Sequence, residues 1–322
     1  MKNGKIKLIT KSSPLTEITP KFDKVIGQAS AIKKMAFFIE THDMSTPLPT
    51  FLLTGSHGLG KTYIAEKIAN CMGRRFIEVN SGMLDDQEDL VNEILLGRVI
   101  GDTPATLFFD ESHRLNSEVT TALLSLLNPS SDHKNYLNYK EWSIEFDMRN
   151  INVIFATTDA HRMFGPLVNR CERIFFDSYN HDDLLAMLHL YCPDAYFCCN
   201  KEDLTNACRG RGRDAFQLAG KISRYLNQKN TPILSKIGWG RLKNIFEIYP
   251  LGLNRQEVEL LHIVSTCGPI SVANIALSMM LNTDNIESEI EVRPRELGLL
   301  QSTTRGRVLT EKGEKYIKKI KF

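Results

Sequence analysis

Several features of membrane and secreted proteins are missing from this sequence. It has no apolar run long enough to cross a bilayer, and its basic N-terminus lacks the apolar core of a secretory signal. None of its seven cysteines forms a CxxC pair. These absences predict a protein without membrane spans and with reduced thiols in the cytoplasm. The weaker alternative for the cysteines is a zinc site, formed by Cys192, Cys198, Cys199 and Cys208.

The composition is that of an ordinary globular protein with two or three domains. The 322 residues are 42% hydrophobic and 24% charged, and we find no internal repeat or low-complexity tract. The net charge of +2 is unevenly placed, because residues 293–322 hold nine Lys/Arg and three Asp/Glu. This basic end indicates either a domain that faces a polyanion or a solvated helix, and charge alone does not separate the two.

Apolar runs alternate with stretches of helical periodicity after an irregular arm at residues 1–21. Alternation of strands and helices is typical of a parallel sheet covered on both faces, which predicts an α/β domain at residues 22–178. The predicted helices are residues 29–40, 61–72, 88–96 and 116–127, and the predicted strands are residues 51–54, 75–79, 106–109, 150–156 and 173–176.

The pattern changes after residue 179. Residues 179–250 carry three helical segments and no convincing strand, which predicts a small helical domain. Residues 251–322 then give three short helices and a hairpin around Arg305-Gly306, which is the plan of a winged helix. The predicted helices are residues 182–190, 201–208, 214–227, 255–265, 271–279 and 286–297, and the predicted hairpin strands are residues 299–303 and 307–310.

One loop carries the strongest chemical signal. Gly55-Ser-His-Gly-Leu-Gly-Lys-Thr62 matches G-x-x-x-x-G-K-[ST] between an apolar strand and a helix, which is the context of a phosphate-binding loop rather than a plain glycine turn. Lys61 would reach the β- and γ-phosphates of ATP, and Thr62 would bind Mg²⁺. The predicted nucleotide-binding residues of this segment are Gly55, Gly58, Leu59, Gly60, Lys61, Thr62 and Tyr63.

An acidic pair, Asp110-Glu111, ends the apolar strand at residues 106–109. Acidic pairs at strand ends also occur by chance, but here a phosphate-binding loop precedes the pair. Asp110 is placed to hold Mg²⁺ through water, and Glu111 is placed to polarise the attacking water.

Together these motifs resemble those of the RuvB family of AAA+ ATPases, the bacterial motors of Holliday-junction branch migration. The segment Leu107-Phe-Phe-Asp-Glu-Ser-His-Arg-Leu115 is similar to the family's Walker B region, and Phe22-Asp-Lys-Val-Ile-Gly-Gln28 to its adenine-side segment. Ala156-Thr-Thr158 resembles sensor 1, and Thr304-Arg-Gly-Arg-Val-Leu-Thr310 resembles the wing. The resemblance implies an AAA+ P-loop domain, a helical lid and a C-terminal winged helix, over residues 20–312.

The resemblance also implies roles for single residues. Thr158, with Thr157 as second choice, would be sensor 1, although a threonine at a strand end can simply satisfy backbone groups. Arg170 would be an arginine finger that reaches the next subunit, with pairing to its own acidic surface as the alternative. Arg213 would be sensor 2, with Arg209 and Arg211 in solvent. Val25 and Ile26 would line the adenine pocket.

The sequence departs from the family at three places. Ser56-His57 stands where relatives usually carry two prolines, and Val168 stands where they often place an arginine. The hairpin that docks the RuvA partner in the family would fall within residues 130–149. Its apolar points here are Tyr136, Leu137, Tyr139 and Trp142, and whether it binds a RuvA-like protein is left open.

The winged helix provides the residues for double-stranded DNA. Four arginines are the predicted DNA contacts: Arg293, Arg295, Arg305 and Arg307. Because the last two flank a glycine turn, both are predicted to project from the hairpin tip toward phosphates. The lysines at the C-terminal helix are expected to form a solvated face.

The leading hypothesis is an ATP-driven motor that forms a hexameric ring and moves four-way junctions, with ATP and Mg²⁺ as cofactors. A loader or remodeller of the clamp-loader or helicase-loader type is the alternative within the ATPases, since Asn169-Arg170-Cys171 also resembles the clamp-loader finger. A DNA-binding adaptor that holds ATP without hydrolysis is the alternative outside the enzymes. The presence of Glu111 and Arg170 disfavours that adaptor.

Overall fold

The computed structural model of the chain describes residue 22 and residues 25–42, 45–99 and 104–320. The chain divides into two compact units, the first ending at Tyr179 and the second beginning at Asn180. The predicted arm at residues 1–21 lies outside the described residues. Within the described part, no helix is both long and apolar enough to cross a bilayer.

The first unit is built on a five-stranded parallel sheet. Its strands, in their order across the sheet, are β2 Arg75–Asn80, β3 Ala105–Asp110, β6 Ile151–Thr157, β1 Thr50–Thr54 and β7 Cys171–Phe175. The central strands β1, β3 and β6 are almost entirely buried, as expected for a parallel sheet covered on both faces. All five predicted strands are confirmed to within two residues at each end.

The helices of this unit follow the predicted positions, except for a four-residue helix at Gly165–Val168 that was not predicted. They are α1 Ala29–Glu40, α2 Lys61–Cys71, α3 Gln87–Asp89, α4 Ser117–Leu126 and α5 Gly165–Val168. Asn116 caps α4 by accepting a hydrogen bond from the Val119 N–H at 2.8 Å. The helix predicted at residues 88–96 is longer, because α3 continues as a π-helix over Leu90–Val99. Its buried residues recur every four to five positions, which fits the wider i→i+5 turn.

A β-hairpin lies between α4 and β6, inside the predicted 130–149 segment. Strands β4 Lys134–Tyr139 and β5 Trp142–Asp147 pair in antiparallel fashion. Leu137 is buried in the core of the unit, whereas Tyr136 and Trp142 are exposed.

The second unit begins with a helical region. Its helices are α6 His181–Tyr191, α7 Lys201–Asn206, α8 Gly212–Lys229 and α9 Lys236–Ile245. The prediction that this region lacks strands is wrong, since β8 Tyr196–Cys198 pairs in parallel with β9 Ile233–Ser235. Each strand has three residues and buries only its middle one, too short for a period to show. Helix α9 was not among the predicted elements.

The second unit ends in a winged helix with its own apolar core. The predicted third helix at residues 286–297 is broken at Glu291, where a π-helix over Ile286–Ile290 gives way to an α-helix over Val292–Glu296. Pro294 accounts for the break, because it has no N–H to continue the helical hydrogen bonds. The elements are α10 Arg255–Cys267, α11 Val272–Met279, α12 Thr283–Asn285 with the π-helix Ile286–Ile290, α13 Val292–Glu296, β10 Leu300–Thr303, β11 Gly306–Leu309 and α14 Glu311–Lys319.

Candidate functional site

The glycine-rich loop joins β1 to α2 at the carboxyl edge of the sheet. Gly55 has a φ of 153°, and a Cβ there would lie 2.7 Å from the Phe176 carbonyl oxygen. Gly60 has a φ of 89°, and its Cβ would lie 2.9 Å from the Tyr179 Oη. Both positions therefore require glycine. A loop with glycines at these two positions that leads into a helix N-terminus fits the phosphates of a nucleotide.

Lys61 opens α2 and turns back over the loop. Its ammonium group donates hydrogen bonds to the carbonyl oxygens of Gly55 at 2.7 Å and Ser56 at 3.0 Å. Thr62 is half-buried beside it, and Tyr63 is largely exposed. Leu59 is buried, so only its backbone is available to a ligand, and its carbonyl accepts a hydrogen bond from the Tyr179 hydroxyl at 2.8 Å.

The segment ahead of α1 is tied to this loop by Gln28, which sequence reasoning assigned no role of its own. The Gln28 amide donates to the carbonyl oxygens of Asp177 at 2.7 Å and Leu59 at 3.4 Å, and its oxygen accepts from the Asp177 N–H. Val25 and Ile26 are half-buried next to it. The predicted adenine-side segment therefore lies beside the phosphate loop.

Asp110 and Glu111 stand at the end of β3, as predicted. The Glu111 N–H donates to the Asp110 carboxylate at 2.9 Å, and Glu111 has a φ of 51°. Two histidines flank the Glu111 carboxylate: His57 Nδ1 lies 3.4 Å from Oε1, and His113 Nδ1 lies 3.5 Å from Oε2. In the sequence, His57 stands out only as a departure from the family.

Strand β6 ends at Thr157, next to the same cluster. The buried Thr157 hydroxyl lies 3.0 Å from His113 Nδ1 and accepts a hydrogen bond from the Asp159 N–H at 3.0 Å. Thr158 is half-buried one residue beyond the strand. The sensor-1 role of Thr158 stays a prediction. Thr157 is the threonine that contacts His113, the neighbour of Glu111.

Arg170 follows α5 and is exposed. Its guanidinium donates to the Leu124 carbonyl and, at 3.0 Å, to the Asn128 side-chain oxygen. Neither partner is acidic, so the alternative in which Arg170 pairs with its own acidic surface is not what the described contacts show.

Arg213 is exposed in the first turn of α8 in the second unit. The expectation that the neighbouring Arg209 is solvated is wrong. Arg209 is largely buried and pairs with Glu257 of α10, whose side chain is 1% exposed. Burial raises the pKa of Glu257 and outweighs the attraction of the Arg209 charge.

The four arginines predicted to contact DNA differ in their surroundings. Arg305 is exposed at the hairpin turn, as predicted. The prediction that Arg307 projects from the tip is wrong, because its guanidinium donates to the carboxylates of Glu291 at 2.8 Å and Glu287 at 2.9 Å. The hydrogen bond to buried Glu291 raises the pKa of Arg307.

The other two arginines also have acidic partners within the chain. Arg293 is mostly buried and lies 3.3 Å from the Glu296 carboxylate. Arg295 is more exposed and pairs with Glu291 at 3.0 Å. Of the four predicted contacts, Arg305 therefore has the side chain most available to DNA.

The zinc alternative for the cysteines is not supported. No three His, Cys, Asp or Glu side chains come together as metal ligands among the described residues. The Cys192 thiol donates a hydrogen bond to the Ala219 carbonyl and also contacts the Ser223 hydroxyl, and Cys198 lies exposed on β8. Burial raises the pKa of the Cys208 thiol to about 12, which disfavours the thiolate that zinc requires.

Comparison with known proteins agrees with the two parts of the chain. Residues 51–179 match the family model of the AAA proteins, the ATPase family associated with various cellular activities. Residues 250–318 match the model of the RuvB C-terminal winged helix domain.

Single relatives extend the match along the chain. The Holliday junction branch migration complex subunit RuvB of Ehrlichia ruminantium is 27% identical over 303 residues, which are 92% of this chain and 90% of the relative. That of Fervidobacterium nodosum is 28% identical, over 93% of this chain and 88% of the relative. The solved structure of the Thermotoga maritima RuvB Holliday junction branch migration motor matches with a TM-score of 0.76 at 23% identity, over 93% of this chain and 97% of its own. The chain therefore carries an AAA domain followed by a winged helix domain of the RuvB type, and it is similar to RuvB subunits over about nine-tenths of its length.

Proposed function

We propose that this chain is an ATP-hydrolysing DNA motor that drives branch migration of four-way junctions as a ring of six subunits. The observation that carries the proposal is the joining of an AAA domain to a RuvB winged helix domain in one chain, with similarity to RuvB subunits over 92% of its length. Action in the cytoplasm is consistent with the cysteines, none of which forms a disulfide among the described residues.

The first unit supplies the groups for hydrolysis. Backbone N–H groups of the Gly55–Thr62 loop and the Lys61 ammonium would bind the phosphates of ATP. The Thr62 hydroxyl and the Asp110 carboxylate, the latter through water, offer the oxygen ligands that Mg²⁺ prefers. Bound Mg²⁺ would neutralise charge on the phosphates. Glu111 would polarise the attacking water, and Thr158 or Thr157 would orient it.

Two arginines would link this chemistry to subunit position. Arg170 is exposed and has only neutral partners among the described contacts, so it is available to the nucleotide of the next subunit. There it would stabilise charge that develops in the transition state. Arg213 would contact the nucleotide of its own subunit and couple the lid to the ATP state.

The winged helix would hold the duplex through phosphates. Arg305 is the leading contact because it is exposed at the hairpin turn. Phosphate contacts carry no base preference, which suits a protein that moves along DNA. Arg295 would add a weaker contact, since it shares its charge with Glu291.

The β4–β5 hairpin would dock a junction-binding partner of the RuvA type. Tyr136 and Trp142 expose 52% and 73% of their surfaces, and large exposed aromatic side chains are enriched at protein interfaces. Leu137, which the sequence also suggested, is buried and would support the hairpin from below.

The proposal predicts ATP hydrolysis that rises when duplex DNA is added. Replacing Glu111 with Gln should lower the DNA-stimulated turnover by at least about a hundredfold, because the variant keeps the shape and loses the base. Glu118→Gln, an exposed change in the first turn of α4, is the matched control and should hydrolyse ATP normally. Normal turnover in Glu111→Gln would refute the role of Glu111 as the base. No turnover in the unaltered protein would refute the proposal that it hydrolyses ATP.

A further inference from the structure

The carboxylate of Glu111 has an imidazole on each oxygen. His57 Nδ1 lies 3.4 Å from Oε1 and His113 Nδ1 lies 3.5 Å from Oε2. These distances are long for a hydrogen bond, but an imidazole N–H or a protonated imidazole at this range still attracts a carboxylate. Both imidazole rings therefore influence the orientation of the Glu111 carboxylate.

The backbone of Glu111 is fixed, so only its side chain can change orientation. The residue adopts a left-handed conformation, with a φ of 51°, and its N–H is bound to Asp110. The next residue, Ser112, is buried and its hydroxyl donates to the Ala156 carbonyl of β6 at 2.6 Å. Because the turn is fixed to the sheet, the orientation of the carboxylate depends on the groups around it.

The two histidines belong to different parts of the unit. The His113 side chain is 10% exposed and contacts Thr157 of the sheet, so it is a fixed partner. The His57 side chain is 62% exposed and lies on the phosphate loop. One oxygen of Glu111 thus faces a histidine that is anchored to Thr157 of the sheet, and the other faces the segment that would surround the phosphates.

We propose that His57 is a positioning residue that draws the Glu111 carboxylate toward the phosphate loop. The loop conformation then controls whether Glu111 is aligned with the attacking water. This inference rests on the proposed ATPase function, in which Glu111 is the base. It also gives a role to a loop histidine that stands where relatives usually carry proline.

The test compares three replacements of His57. Leu keeps much of the volume and removes the donor, Asn places an N–H group near the position of Nδ1, and Gln places it near Nε2. His57→Leu should lower kcat by roughly tenfold to a hundredfold, as expected for misalignment of a catalytic group. Affinity for a fluorescent ATP analogue should stay within about threefold of the unaltered protein, since Lys61 and the loop glycines remain.

His57→Asn should recover most of the lost kcat, and His57→Gln should not. A histidine that only shapes the loop would give a different result: affinity and kcat would fall together in all three variants. His161→Leu, an exposed histidine of the same unit, is the matched control and should keep the normal kcat.

A second measurement does not depend on turnover. In protein labelled with ¹⁵N-histidine and free of nucleotide, the His57 signals are those that disappear in His57→Leu. The chemical shifts of the His57 signals should change in Glu111→Gln and remain unchanged in Glu118→Gln.

An unchanged kcat in His57→Leu overturns the positioning role. Chemical shifts of His57 that are the same in Glu111→Gln and in the unaltered protein overturn it as well. If the unaltered protein hydrolyses no ATP, the proposed function fails instead. The ¹⁵N comparison then still tests the contact between His57 and Glu111.

Discussion

Removing Arg209 from its ion pair with Glu257 should strongly destabilise the second unit, because it leaves a buried carboxylate without its cation. The ion pair joins the segment after α7 to α10 of the winged helix, and the Glu257 side chain is 1% exposed. Replacing Arg209 with Met keeps most of the apolar stem and leaves the carboxylate without its cation. Removing one partner of a buried pair costs about 3 to 5 kcal/mol. Because Arg209 is 21% exposed and Glu257 keeps the Asn254 N–H at 2.8 Å, we expect the lower end, about 3 kcal/mol.

The loss should depend on pH in a defined direction. Burial raises the pKa of Glu257 even with Arg209 present, and removal of the positive charge would raise it further. A carboxyl group with a raised pKa in the folded protein stabilises most below its unfolded pKa and loses that contribution as the pH rises through the folded value. Arg209→Met should therefore cost less at about pH 5 than at about pH 8.

Tryptophan fluorescence can report on this unit alone. The chain has two tryptophans, and Trp239 is buried in α9 while Trp142 lies in the exposed hairpin of the first unit. In a Trp142→Phe background, urea unfolding followed through Trp239 gives the free energy of unfolding of the second unit. Adding Glu257→Gln to Arg209→Met should recover most of the stability, since the neutral amide can still accept from Asn254.

The control is Arg255→Met, which removes an exposed pair with Glu247 and should change little. A loss below about 1 kcal/mol for Arg209→Met, equal at both pH values, would refute the importance of the pair.

Three further outcomes follow from the two sites. Gly55→Ala should weaken ATP binding by at least about tenfold in a nucleotide titration, because a Cβ would clash with the backbone; unchanged affinity would contradict the loop geometry. Arg305→Ala should reduce the salt dependence of duplex binding by about one unit of slope, whereas Arg307→Ala should leave the slope unchanged and lower the melting temperature. Mixing the inactive variants Lys61→Ala and Arg170→Ala should restore ATPase activity, since some interfaces then combine an intact loop with an intact finger; no recovery would argue against action between subunits.

The sequence predicted the sheet and the phosphate loop because their signals are local. Buried parallel strands appear as continuous apolar runs, and the loop has a fixed spacing before a helix. The strand pair β8–β9 was missed because three residues carry no readable period and the partners lie far apart in the chain. The sequence did not show that the Arg307 side chain is held within the protein, because its partners Glu287 and Glu291 approach it only in the folded winged helix. The contact of His57 with Glu111 likewise joins residues that are distant in sequence.

The most direct test of the motor is a branch-migration measurement on a synthetic four-way junction, with ATP and with or without a RuvA-type partner. We expect ATP-dependent conversion of the junction into duplex products by the unaltered protein, and no conversion by Glu111→Gln. ATP hydrolysis that is stimulated by DNA but moves no junction under either condition would contradict the motor and favour a loader.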